Sequence, residues 1–414
     1  MKRLFAVFSI IMLMFVSGCK NGINEFFKDI DGYIKKNTIS AEQESVLDEG
    51  EEVVKIKPRN EKPEYPQLSA YNKLTDNQKK LYSIIRTAVE NMELRLIDVT
   101  EYSNDNISSD TVVAHKAVMC DRPDLFWMPK TLSLVSVEDT KHNYLCFREY
   151  DGEKPDSGFF GITAEQKNQM MSQIKSVENE IINEIKNLPD AFEKELFIHD
   201  YLCKHIVYDK ESADNLQNAN KESMTIYGAL VKGSAICEGY SKAMQYLCIK
   251  SGIPCSVVYG KYDDIAHMWN IVNPGDGLYY VDATFDDGSD HSVLHSFFNL
   301  TKAEISEGHI FSDGFSSDKT YDISDEFNFF IYDCKNTALN YFIKKGAYIR
   351  DDYKSAVDYA LSEYYKGKKS AELKNITSLT NAQAFEALRQ RLADKIDLKK
   401  SYEYEGKNII VIVW

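Results

Sequence analysis

Residues 265–283 limit the possible folds of this chain more than any other stretch. Ile265-Ala266-His267-Met268-Trp269-Asn270-Ile271-Val272 and Leu278-Tyr279-Tyr280-Val281-Asp282-Ala283 are two runs of strand-forming residues, separated by Asn273-Pro274-Gly275-Asp276-Gly277. Proline presets φ for a turn and glycine accepts positive φ, so the three pieces predict an antiparallel hairpin. A hairpin centred between Pro274 and Gly275 puts His267 and Asp282 opposite one another, on one face, with Cβ atoms about 5 Å apart. A carboxylate in that place holds an imidazole in one tautomer and stabilises its protonated form.

Upstream, Ser234 is the expected N-cap of a helix that continues to about Lys250 and is stopped by Gly252-Ile253-Pro254. Cys237 then lies in the first turn, where the positive end of the helix dipole favours thiolate. Backbone N–H groups of that turn are suited to hold a developing oxyanion. Gly233, Ala235 and Gly239 leave space for a substrate.

Four strings carry a resemblance. Gly233-x-x-x-Cys237-x-Gly239-Tyr240-Ser241, Gly252-Ile253-Pro254-Cys255-x-Val257-x-x-Gly260, His267-x-Trp269-Asn270 and Tyr280-Val281-Asp282-Ala283-Thr284 resemble, in order and spacing, the core signature of the transglutaminase-like superfamily. Lys194…Ile198-His199-Asp200-Tyr201-Leu202…Tyr208-Asp209 and Ile226-Tyr227-Gly228-Ala229-Leu230 resemble the lead-in of bacterial members, so the likeness covers residues 165–310. It implies an α+β, papain-like core with the cysteine helix packed on an antiparallel sheet. Cys237 would be the nucleophile, His267 the base and then the acid, and Asp282 the orienting acid, with no cofactor. Tyr227, Glu238, Trp269 and Tyr280 are the candidates for the oxyanion or substrate side, Trp269 and Tyr280 as packing residues flanking the site.

The N-terminus adds an address. Met1-Lys2-Arg3 precedes an uncharged apolar run at 4–18, too short to span a bilayer and of signal-peptide length. Val16-Ser17-Gly18-Cys19 resembles the bacterial lipobox, which predicts a signal peptide at 1–18, lipidation at Cys19 and an extracytoplasmic membrane anchor. The Glu-, Lys- and Pro-rich residues 39–67 read as part of a polar tether spanning 19–67.

Folded structure is expected as an α+β domain at 68–158, a catalytic core at 159–325 and an α/β region at 326–414. Predicted helices are Leu74–Met92 (capped by Thr75), Ala164–Lys186, Ala191–His205 and Asn381–Ala393; predicted strands include Thr111–Met119, Tyr144–Phe147, Ser296–Leu300 and Asn408–Trp414.

A net charge of −15, from 64 acidic and 49 basic residues without a basic cluster, argues against nucleic acid as a partner. The eight cysteines include no CxxC pair, which argues against a zinc ribbon. No metal is expected: His199, Cys203 and His205 follow ordinary helix packing, Cys237, His267 and Asp282 suit nucleophilic catalysis better than zinc, and Asp286-Asp287-Gly288-Ser289-Asp290 reads as an acidic turn. The expected partner is a protein or peptide, cell-wall peptide included, attacked to form a thioester. The rival expectation is a surface or cell-wall binding module that has the fold without turnover.

Overall fold

The computed structural model describes residues 34–39, 53–130, 132–137, 140–147, 161–215, 219–263, 265–288, 293–311, 329–403 and 408–414. The predicted signal peptide at 1–18 and Cys19 lie outside these residues. The N-terminal part runs β1 (Ile34–Ile39), β2 (Val53–Val54), α1 (Asp76–Asn91), β3 (Leu96–Asp98), α2 (Ile107–Asp121), β4 (Leu132–Val137) and β5 (Asn143–Cys146). Its sheet has the order β1-β4-β5-β3-β2, with parallel pairs at both edges. Helix α1 starts as its sequence predicts, with Thr75 and Gln78 forming a reciprocal capping box.

Two expectations are corrected here. The stretch 19–67 is not simply a polar tether, because β1 and β2 lie in it and complete the sheet. Residues 111–119 are helical, not a strand. Helix α2 is buried on nearly every side, from Asp110 and Thr111 through His115, Lys116 and Cys120, so it shows no one-sided apolar period.

The central part runs α3 (Ala164–Ile185), α4 (Ala191–His205), β6 (Val207–Tyr208), β7 (Ser234–Ala235), α5 (Cys237–Lys250), β8 (Cys255–Tyr262), β9 (Ile265–Val272), β10 (Tyr279–Val281) and β11 (His309–Phe311). Strands β10-β9-β8-β11 form a sheet that is antiparallel throughout. Helix α5 lies on it, tied by two buried hydrogen bonds: Ser241 Oγ donates to the Met268 carbonyl at 2.9 Å, and Asn270 Nδ2 donates to the Ser241 carbonyl at 2.9 Å. The helix bearing the cysteine is thereby locked to the strand bearing the histidine. The expected strand Ser296–Leu300 is instead a turn, with Asn299 at φ 55°, that touches β10 through a single Tyr280–Leu300 bridge.

The C-terminal part has β12 (Tyr348–Ile349), α6 (Lys354–Tyr365), β13 (Ser370–Asn375), α7 (Asn381–Leu392), β14 (Lys400–Glu403) and β15 (Ile409–Val413), with sheet order β12-β13-β15-β14. One apolar core runs without a break from Leu68 to Cys334, and a second gathers Phe342 to Trp414. The N-terminal and central parts therefore share a core, while the C-terminal part has its own. Among the described residues no helix is long and apolar enough to cross a membrane.

Candidate active site

Cys237 is the first residue of α5 and is half-buried. The N-cap is Ile236, not Ser234 as expected, because Ser234 extends into β7 and pairs with Val207. Ile236 has no side-chain cap to offer, so no capping group covers the first-turn amides next to the thiol. Gly239 is required two residues on: a Cβ there would lie 2.5 Å from the Ser223 carbonyl oxygen, which receives the Ile236 N–H.

The hairpin register differs from the expected one. Val281 pairs with Asn270, Tyr280 with Ile271 and Tyr279 with Val272, so Asp282 comes level with Trp269 rather than His267. Residues 273–278 form a wide loop, with Gly275 at φ 120°, instead of a tight turn. The displacement is two residues, an even number, so both side chains stay on one face and meet diagonally. His267 Nε2 lies 2.6 Å from Asp282 Oδ2, and Cys237 acts with Asp282 in raising the pKa of His267.

A fourth residue joins them. His309, on β11 and wholly buried, bonds the same Asp282 oxygen through Nε2 at 2.7 Å. Asp282 Oδ1 meanwhile accepts from the Thr284 and Phe285 amides at 3.0 and 3.3 Å, capping the short helix Ala283–Asp286. One carboxylate thus receives four N–H groups. Sequence reasoning missed His309 because it lies outside the motifs, and only the β11–β8 pairing, His309 opposite Tyr262, brings it in.

Burial alone would raise the pKa of Asp282, but His267 and His309 override it and hold the acid well below the usual carboxylate range. Burial would lower that of His267, yet Asp282 and then Cys237 outweigh it and push it up to about 10. A histidine raised from its ordinary 6.5 adds stability that is fully present below that value and disappears as pH rises through about 10. The melting-temperature gap between wild type and His267→Gln should therefore shrink from pH 7 to pH 10. A gap that is flat with pH would show that His267 is not held protonated.

Gly260 stands opposite His267 in the β8–β9 ladder. A Cβ there would come within 2.3 Å of the Ile310 carbonyl oxygen and 2.5 Å of the Trp269 ring. Gly260→Ala should cost about 1–3 kcal/mol through overpacking and should displace β9. Urea unfolding measures the first effect, and loss of turnover the second.

The remaining candidates lie around these residues. Trp269 is fully buried with its ring centroid 6.0 Å from that of His267. Tyr280 is also buried, its hydroxyl donating to the Tyr332 carbonyl and accepting the Tyr332 N–H, both at 2.9 Å. Tyr227 donates its hydroxyl to Gln173 Oε1 at 2.8 Å and stacks on Phe126. Glu238 faces the N-terminal part, paired with Lys130 at 2.6 Å and Lys242 at 2.7 Å, and those cations outweigh burial to bring it down to about 2. Neither Tyr227 nor Glu238 is hydrogen-bonded to the histidine cluster.

Among the described residues two groups have ligand atoms close enough for a metal: His267–Asp282–His309 and His199–Asp200–His295. In the first, separations of 2.6 and 2.7 Å are those of charge-assisted hydrogen bonds. The considered trio of His199, Cys203 and His205 does not assemble, since His205 turns to the Tyr201 carbonyl at 2.8 Å. The seven cysteines among the described residues form no disulfide with one another.

Residues 179–283, which hold Cys237, His267 and Asp282, match the Transglutaminase-like superfamily, and this stretch is a transglutaminase-like domain. No curated protein matches the chain. Among solved structures, a TGase aligns with a TM-score of 0.27 at 16% identity over 39% of this chain and 45% of its own. A protein from Cytophaga hutchinsonii, titled as a candidate cysteine protease, aligns with a TM-score of 0.23 at 13% identity over 34% of this chain and 51% of its own. A candidate protease from Parabacteroides distasonis aligns with a TM-score of 0.18 at 8% identity over 37% and 43%. The match thus spans about half of each of these chains, or less.

Proposed function

We propose that the chain is a lipid-anchored, extracytoplasmic cysteine enzyme acting on peptide or amide bonds through a Cys237–His267–Asp282 triad. The observation that carries this reading is that Asp282 holds one ring nitrogen of His267, Nε2, at 2.6 Å, which leaves Nδ1 for the thiol of Cys237. The Cys237 sulfur attacks the carbonyl carbon, and first-turn amides of α5 receive the oxyanion. As the C–N bond breaks, His267 donates its proton to the departing amine, leaving a thioester. His267 then takes a proton from the second nucleophile, either water, which releases an acid, or an amine, which yields a new amide. Hydrolysis of a peptide, cell-wall peptide included, is the favoured outcome. Removal of 1–18 and acylation of Cys19 would keep the enzyme at the outer face of the membrane.

The test is to incubate the chain with a peptide and amide library and weigh it intact. A mass adduct on Cys237, absent from Cys237→Ala, is expected. If no library member gives an adduct or turnover, the binding-module reading replaces this one. Cys19→Ala should move the chain from the membrane fraction to the soluble one; if it stays membrane-bound, the lipid anchor is wrong.

A further inference from the structure

A second histidine cluster lies where α4 meets the C-terminal part. His199 is fully buried, with Nδ1 3.2 Å from Asp200 Oδ1 and Nε2 3.2 Å from Asp286 Oδ2. His295, almost as buried, has Nε2 3.1 Å from the same Asp200 oxygen and Nδ1 3.4 Å from Glu372 Oε2 on β13. Each imidazole therefore stands between two carboxylates. A neutral imidazole has one N–H and satisfies only one of them.

The distances distinguish this cluster from the triad. Around Asp282 the N···O separations are 2.6 and 2.7 Å, but around Asp200 they are 3.1 and 3.2 Å. Ligand atoms of a tetrahedral zinc site, with metal bonds of about 2.0–2.1 Å, are about 3.3 Å apart. The outer partners have the matching chemistry, since histidines that bind metal donate their other N–H to a carboxylate. Asp286 would take that role for His199, and Glu372 for His295. The Asp200 side chain is 26% exposed, which gives a metal and its water a way in.

We propose that His199 Nδ1, His295 Nε2 and Asp200 Oδ1 hold a divalent transition metal, zinc by chemical preference, with water as the fourth ligand. The alternative is two doubly protonated imidazoles. Both arrangements put two positive charges against the three carboxylates of Asp200, Asp286 and Glu372, so charge balance does not separate them and experiment does. Cys203 is not counted as a ligand: its thiol donates to the Ala283 carbonyl at 3.4 Å. Lys204, 3.8 Å from Asp200 Oδ2, and Tyr341, stacked on His295 with ring centroids 3.7 Å apart, complete the surroundings. The metal would be structural. It would fasten α4 to β13 and, through Asp286, brace the short helix capped by Asp282.

The full chain, loaded with zinc or cobalt(II) and dialysed, is assayed for metal content, for the visible spectrum of tetrahedral cobalt and for melting temperature. Wild type should retain one metal per chain and melt higher with it, because a ligand of the folded state stabilises that state. His295→Ala and Asp200→Asn should lose the metal and the melting shift, and His309→Ala should keep both. Failure of folded wild type to retain equimolar metal overturns the proposal, as does retention by Asp200→Asn or loss in His309→Ala alone. Should His295→Ala fail to fold by circular dichroism, the wild-type stoichiometry and Asp200→Asn still decide. Since metal content is read without turnover, the result is independent of the proposed peptide chemistry.

Discussion

Asp282→Asn is expected to slow acyl-enzyme formation by about 10³–10⁴-fold while leaving a folded chain. The amide has one acceptor oxygen and one donor NH₂ where the carboxylate has two acceptors. The Thr284 and Phe285 amides, 3.0 and 3.3 Å from Asp282 Oδ1, require an acceptor, so the asparagine oxygen stays on that side. Its NH₂ then faces His267 and His309, where two ring N–H groups now donate. His267 relieves the clash by moving its proton to Nδ1, the nitrogen proposed to serve Cys237. In that tautomer it cannot take the thiol proton. Asp282→Ala goes further and leaves four N–H donors without their buried acceptor, at a cost of about 3–5 kcal/mol. Single-turnover acylation measures the first effect and urea unfolding the second. If Asp282→Asn acylates within about tenfold of wild type, Asp282 does not set the tautomer.

The second large effect concerns the sulfur. His267→Ala should slow alkylation of Cys237 by iodoacetamide at pH 6 by about 10–100-fold. At that pH an ordinary thiol is almost wholly protonated, and a neighbouring imidazolium is what favours the reactive thiolate. His267 is protonated at pH 6 because Asp282 and Cys237 outweigh its burial. An internal reference is available in Cys334, whose thiol burial pushes up to about 11. Peptide mapping after a timed pulse gives both rates in one sample. Should Cys237 in wild type react no faster than Cys334, the nucleophile assignment loses its support.

Much of the site was legible in the linear chain. The α5 start, the β9–β10 hairpin and the three residues of the proposed triad follow from local signals: turn residues, helix stop signals and alternation. Local signals also misled. The two-residue difference in register arose because the Asn273–Leu278 loop is wider than its Pro-Gly centre suggests, yet face parity survived. Helix α2 is buried nearly all round and so carries no amphipathic period, and its β-branched Thr111, Val112 and Val113 imitate a strand. Ser234 resembled a cap, but pairing with Val207 drew it into extended backbone.

By itself the sequence determined which groups are available for chemistry and which short segments present them, because hairpin alternation and helix termination depend on neighbours along the chain. Tertiary structure alone decided which distant groups converge. His309 reaches Asp282 only when β11 closes the edge of the sheet, and His295 meets His199 only when a turn near residue 296 folds back onto α4. Those meetings are set by burial and by packing of separate elements, and such long-range contacts leave no periodic trace in a linear pattern.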